Sequence, residues 1–522
     1  MRRSIAVVVT ICGCLAIASV ANARVLLVGT YHGIHGQFKS IQAAVNAAHP
    51  GDWILIGPGD YKTKGSHAPK GAATRPAAVL ITKPGIYLRG MNRNTVIIDG
   101  TKAGPACNRR LADQNFGPTS AGGALGLNGI MVWKANNVWV QNLTVCNFLG
   151  GKGAAGNGIW WNGGDGSGKI GGRGYLGSYL TATSTFFATE KTAATYGIFT
   201  SNWSGGTWDQ TYASNFNDSG YYIGACAQKC NQTINHAHAQ FNALGYSGSN
   251  SGGRLLIENS QFDHNQDGLD TNSQNGDEPS PQNGACPPGV KPPVKGAPSC
   301  WVFINNSVHD NNLGNVPSAG SASQGPIGTG MSVAGGRNDT IMHNTFTNNG
   351  AWGIALVPYP SSGQPCIGGV PNFPLLGNGS CLFDGWGNAL IGNTFVNDGF
   401  FGNPSNGDFA ELNLLSGNAT DCYSGNHGPN NGPLTADAAA LQQLHPRCDE
   451  SPAPAASNPS SFLVQIQCDT GVNATGGACP AGTNYPKLST PIMRPFPKHL
   501  LTMANPCVGV PSNLWCRNSG HH

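Results

Sequence analysis

The sequence is poor in charge. Only 10% of its 522 residues are Asp, Glu, Lys or Arg, and the net charge is +4. So weak a charge excludes charge-driven disorder, and no basic stripe of the kind that grips nucleic acid occurs. The chain also lacks the Ala-, Glu-, Lys- and Leu-rich periodicity of coiled coils. Beyond Val20 no apolar run is long enough to span a bilayer. Glycine is abundant but follows no three-residue period, which excludes collagen. What remains is a long chain of short apolar runs punctuated by 75 Gly and 35 Pro.

Residues 1–23 have the layout of a secretory signal peptide: Arg2 and Arg3, an apolar stretch from Ile5 to Val20, then Ala21-Asn22-Ala23 as a small-residue cleavage site. Export fits the cysteines. Two of the 16 lie in this leader, and the even number left falls into close neighbours: Cys226/Cys230, Cys286/Cys300, Cys366/Cys381, Cys422/Cys448, Cys468/Cys479 and Cys507/Cys516, with Cys107 and Cys146 remaining. In an oxidising compartment such pairs staple loops as disulfides. A secreted or extracytoplasmic protein is expected, without a transmembrane segment and as a monomer.

One helical pattern stands out. Ile41, Ala44, Val45 and Ala48 share a face, with Ser40 as N-cap and Pro50-Gly51-Asp52 as terminator. Short strand-like runs follow. From about residue 130 a loose repeat takes over, seen in Leu256-Ile257-Glu258-Asn259-Ser260-Gln261-Phe262, Ile341-Met342-His343-Asn344-Thr345-Phe346 and Leu390-Ile391-Gly392-Asn393-Thr394-Phe395. Its shorter intervals are in the twenties, the period of stacked supersecondary units. Asn at the turns tolerates left-handed backbone, and its amide can bond along a stack. A coil of parallel strands fits best.

These rungs, and Ile41-Gln42-Ala43-Ala44-Val45 leading into Gly51-Asp52-Trp53-Ile54-Leu55-Ile56-Gly57-Pro58-Gly59-Asp60-Tyr61, resemble the right-handed parallel β-helix proteins of the pectin-lyase-like group. The resemblance covers roughly residues 37–415. It implies an all-β right-handed parallel β-helix over 24–415, an opening helix that caps the first rung, and a lateral groove for an extended polysaccharide. Residues 416–522 lose the repeat and gain Cys and Pro, reading as a disulfide-rich C-terminal cap or arm over the final edge.

The densest polar cluster is Asp263-His264-Asn265-Gln266-Asp267-Gly268-Leu269-Asp270, with Asp277 and Glu278 beyond it. If Leu269 points into the core, alternation turns Asp270 outward. Asp263, Asp267 and Asp270 meeting on one face would hold Ca²⁺, since converging carboxylates repel unless a cation neutralises them. The stretch resembles a pectate-lyase signature, which implies calcium-assisted β-elimination on an acidic polysaccharide. The Asp267–Asp270 spacing is one residue short of that signature, and its Arg-x-Pro-x-x-Arg segment is absent.

Arg254 is the candidate base or charge stabiliser, and His264, with His309 and His343, a titratable alternative. Trp160, Trp161, Tyr221, Tyr222 and His309 are candidates for sugar contact. Three readings stay open: a calcium-assisted lyase, a non-catalytic surface or matrix protein that binds glycans, and a glycoside hydrolase using a carboxylate pair such as Asp267 and Asp270.

Overall fold

The computed structural model describes residues 23–448, less 64, 165, 276–280, 363–364, 375–376, 416–419 and 446, together with 462, 464–466, 468 and 486–517. Residues 1–22 of the expected 1–23 leader, Asp277, Glu278 and Cys479 lie outside the described residues.

The turns determine the architecture. In a typical coil, Leu255–Glu258 passes through Asn259 into Gln261–Asp263, and this strand passes through His264 into Asp267–Asn272. Asn259 (φ 50°) and His264 (φ 54°) are left-handed, and each such residue turns a corner. The same left-handed corner recurs at Asn305, Asp310, His343, Asn348 and Asn397. Three parallel ladders result, one per side of the coil. The first two are joined where Val138–Cys146 and Tyr175–Thr183 run through both, giving a 20-stranded sheet, while the third is a separate 10-stranded sheet. Parallel crossovers of this kind are right-handed in nearly all proteins, and the chain is the right-handed parallel β-helix expected from its sequence.

Parallel in-register pairing puts like on like. On the first side Trp208, Ile234, Ile257, Phe303, Ile341, Leu390 and Tyr423 form one inward column. On the third side Ile198, Tyr221, Tyr246, Leu269, Met331, Ile354 and Phe409 form another. Buried corners would strand backbone amides, and asparagine solves this. Asn242, Asn265, Asn311 and Asn349 each donate the side-chain amide to the corresponding residue of the next coil, and the column ends on Asp398. A second column runs Asn306, Asn344, Asn393 and Asn426 and ends on Gln442.

A short helix packs near each end of the coil. In Ile41–Ala47, capped by Ser40, Gln42 bonds both the amide and the carbonyl of Leu80 on the edge strand Ala77–Ile81. At the far end the helix Ala436–Leu444 packs on the last strand of the third side, Gly407–Glu411. The ladder runs past residue 415: Cys422–Ser424 still pairs parallel with Ala389–Ile391, so one more rung belongs to the coil than the loss of sequence repeat indicates. Residues 486–517 then return along the outside toward the N-terminal coils, bonded from Gly314 back to Ile34. Six of the seven expected disulfides are formed among the described residues, all but Cys468/Cys479. Among those residues no helix is long and apolar enough to cross a membrane.

Candidate functional site

The acidic stretch divides between two sides of the coil. His264 turns the corner after Asp263, so Asp263 closes the second side whereas Asp267 and Asp270 lie on the third. Asp263 is buried and faces His238 Nε2 at 2.6 Å and His264 Nδ1 at 2.6 Å, and it accepts from Gln261 Nε2 at 2.9 Å. Burial alone would raise its pKa, but the hydrogen bonds of His238 and His264 and the charges of His238 and His309 outweigh that and hold it at about 2. Asp270 instead accepts from Ser332 Oγ at 2.7 Å and from the Asn272 amide, and Asp267 lies 3.1 Å from the same Ser332 hydroxyl. The expected calcium trio is therefore not assembled. Its three carboxylates do not fit one shared ion, because a left-handed corner at His264 intervenes between Asp263 and Asp267.

Asp270 belongs to a different constellation. Leu269 fills the core and Asp270 faces outward, as alternation requires. It opens into a cavity of about 430 Å³ that also takes Asp218, Tyr196, Asn272, Gln274 and Tyr359. The floor is the third side, and the walls are long-range inserts around residues 321–326 and 358–360. Both carboxyls are half-buried. Burial pushes Asp218 up to about 7, against opposing hydrogen bonds from Tyr196 and Ser219, and the Asp270 charge adds to the rise. Burial raises Asp270 too, against Ser332 and Asn272. Tyr359 is raised to about 12, chiefly by burial and then by Asp270. Among the described lining residues there is no lysine or arginine. Two interacting carboxyls with raised pKa values in one cleft can divide proton donor and acceptor roles.

The adjacent aromatic pairs split as strand geometry demands. Trp161 and Tyr221 are fully buried in the core and offer no surface to a ligand, whereas Trp160 and Tyr222 face out. The outward rings pack on one another through Phe199, with Trp160 and Phe199 stacked at 4.9 Å. They floor a second cavity of about 400 Å³ with Arg75 and Lys191 at its rim. Tyr196 lines both cavities. Trp160 and Asp270 share one outward column through Phe199, Tyr222 and Ser247. At about 4.8 Å per rung that spans about 19 Å.

Arg254 joins neither group. It occupies an exposed left-handed corner (φ 69°) and donates to Asn231 Oδ1 at 3.1 Å. His309 pairs with Asp310 at 2.8 Å, and its ring lies 6.1 Å from that of His264. One oxygen or nitrogen from each of Asp263, His264 and His309 falls within 4.8 Å of the others. Asp99, Cys107 and Cys146 cluster similarly, but both cysteines are spent in a disulfide.

Sequence reasoning missed Asp218. It sits in Asn217-Asp218-Ser219-Gly220, which has the composition of an ordinary turn. No local signal marks it, since its cavity is completed by inserts roughly a hundred residues later.

No family model matches this sequence, and no curated protein matches it. Solved structures resemble it at the level of fold. A rhamnogalacturonan lyase matches at 12% identity over 85% of this chain and 98% of that one, with a TM-score of 0.49. The A-module of the Azotobacter vinelandii mannuronan C-5 epimerase AlgE6 matches at 14% identity over 74% and 94%, with a TM-score of 0.43. The pectate lyase Pel9A matches at 14% identity over 80% and 79%, with a TM-score of 0.38. No residue role is transferred from them.

Proposed function

We propose that this chain is an exported carbohydrate-active enzyme that binds an extended polysaccharide along the third side of the coil and hydrolyses it with Asp218 and Asp270. The observation that carries the reading is the pair itself: two half-buried carboxyls in one cavity, both with raised pKa values. Asp218, at about 7, is the general acid that protonates the leaving glycosidic oxygen. Asp270, anchored by Ser332 and Asn272, is the partner carboxylate that activates water or attacks the sugar. A cavity whose described lining carries no cationic side chain favours uncharged sugars at the scissile bond, since an anionic unit there would meet two acids unscreened. Export is supported by the leader and the six disulfides.

The test incubates the purified chain with neutral and uronic-acid polysaccharides and reads new reducing ends alongside absorbance of unsaturated ends. Reducing ends without unsaturation, abolished in Asp218→Asn, are expected. Unsaturated ends would replace hydrolysis with elimination. A glycan-binding protein without turnover is the second reading, favoured by the aromatic floor around Trp160; binding with no product on any polymer would establish it.

A further inference from the structure

The second side carries a group of side chains that the polysaccharide cleft does not use. Asp263 and His309 stand opposite each other on successive strands, Gln261–Asp263 and Ser307–His309. His264 follows Asp263 into the corner, where its left-handed backbone brings the ring beside the same carboxylate. The result is one fixed carboxylate, 3% exposed, between two imidazoles that are 45% and 23% exposed. A buried anchor with movable rings is a geometry that can tighten around a ligand.

The hydrogen bonds set the tautomer of His309. Its Nδ1 lies 2.8 Å from Asp310 Oδ2, and a carboxylate only accepts, so Nδ1 carries the proton. Nε2 therefore presents its lone pair inward, 3.1 Å from the Gln261 amide. This carboxylate–imidazole arrangement is the one that orients histidines toward metal ions. His238, 2.6 Å from the other oxygen of Asp263, holds the carboxylate in place.

We propose that Asp263, His264 and His309 form a site for a divalent late first-row transition ion, of which Zn²⁺ is the natural occupant in an oxidising compartment. Two imidazoles and a carboxylate are borderline ligands that suit zinc or copper and are poor for calcium. The ligand atoms already lie within 4.8 Å of one another. Bonds of about 2.0–2.1 Å in a tetrahedron need roughly 3.3 Å between ligands, a closure that small rotations of the two half-buried rings supply. Binding displaces the proton His264 Nδ1 shares with Asp263, and it leaves a fourth position to water. Asp310 is a positioning residue that acts through His309. The site lies on a different side of the coil from Asp218 and Asp270 and stands or falls independently of them.

The test uses the full chain after chelator treatment, dialysed against micromolar Zn²⁺, with bound metal counted and the Co²⁺ form read by its visible d–d bands. One ion per chain is expected. His264→Ala and His309→Ala should each lose it, and Asp310→Asn should weaken it about 10-fold, with circular dichroism unchanged. Should His309→Ala fold poorly, His264→Gln serves in its place, with loss of the Co²⁺ bands as readout. Absence of stoichiometric metal in the unmodified chain would overturn the proposal. Equal occupancy in the His264→Ala/His309→Ala double variant would overturn it as well, by assigning the ion to other groups such as the terminal His521-His522.

Discussion

A carboxyl that is costly to ionise is useful only where its proton has somewhere to go, and two aspartates in this chain illustrate the difference. Asp218 opens on a cavity, so its raised pKa of about 7 is available to a substrate. Acting as an acid it must be protonated, so kcat/KM is expected to fall tenfold per unit as pH climbs above about 7. Asp218→Asn should cost about 10²–10⁴-fold, checked in the reducing-end assay. An alkaline limb that persists in the residual activity of Asp218→Asn would assign that limb to another group. Asp398 is buried at the end of an asparagine column and is raised to about 8 by burial, with Oδ1 accepting from Asn349 and Oδ2 without a partner among the described residues. It is a structural acid. Its folded pKa exceeds its unfolded value, so the fold binds the extra proton, and its contribution is present in acid and lost as pH rises from about 4 through about 8. Each pH unit in that window costs about 1.4 kcal/mol. Asp398→Asn keeps the acceptor oxygen and removes the charge. Denaturant unfolding should show the variant more stable than the parent at pH 8 and nearly equal to it at pH 4.

At the scale of the turn and strand, asparagine columns are what make the coil affordable. Asn344 donates its side-chain amide to Asn393 Oδ1 and Phe303 O, and its backbone amide to Asn393 Oδ1, all within the buried corner. Asn344→Ala strands the Asn306 backbone amide, at about 1–3 kcal/mol, and takes one of two acceptors from the Asn306 side-chain amide, which keeps the Ile257 carbonyl. Denaturant midpoints should drop sharply, whereas Asn348→Gly, at a half-buried corner whose left-handed backbone (φ 55°) glycine adopts freely, should cost little. These columns are also why so much of the fold was legible. Asn-Ser/Thr-x-Phe repeats encode one corner and one core column together, and neighbouring cysteines encode the staples. The helix at Ile41 was legible from its N-cap and apolar face alone. The site was legible only in part. Alternation turned Asp270 outward beside Leu269, and it offered one outward ring in each of the pairs Trp160-Trp161 and Tyr221-Tyr222 without saying which. It could not place Asp263, because a single left-handed residue between two strands redirects the chain to another side. Nor could it find Asp218, whose walls come from distant inserts with no periodicity of their own.

The whole molecule adds something no single coil holds. In a stack where each rung touches only its neighbours, stability is local, and the N-terminal coils could fray without disturbing the rest. The returning segment 486–517 breaks that locality. Ile492 bonds Asn315, the Arg494 backbone meets Asn215, Leu500 meets Asn94, Thr502 and Met503 meet Asn142, and Trp515 reaches Ile34. Trp515 packs with Leu27, Trp53, Leu55 and Met91 in an apolar cluster outside the main core. Two buried guanidiniums depend on the same segment. Arg89 donates to the carbonyls of Pro506 and Val508 at 2.9 and 2.7 Å, and Arg93 to Leu501 at 3.0 Å. Burial lowers both arginines to about 10, so each is held charged at a cost that these carbonyls offset. A chain ending at residue 485 would leave Arg89 with the Gln141 side-chain carbonyl as its remaining hydrogen-bond acceptor among the described residues, beside the Trp53 ring, and uncover the Trp53 cluster. Hydrogen exchange should then quicken at residues 25–99, while 329–411, which the segment does not reach, keep their protection. Unfolding should split into an early N-terminal and a later C-terminal transition. Uniform loss of protection along the whole coil would instead make the segment a requirement for folding, and unchanged exchange at 25–99 would make it an ornament on coils that are stable alone.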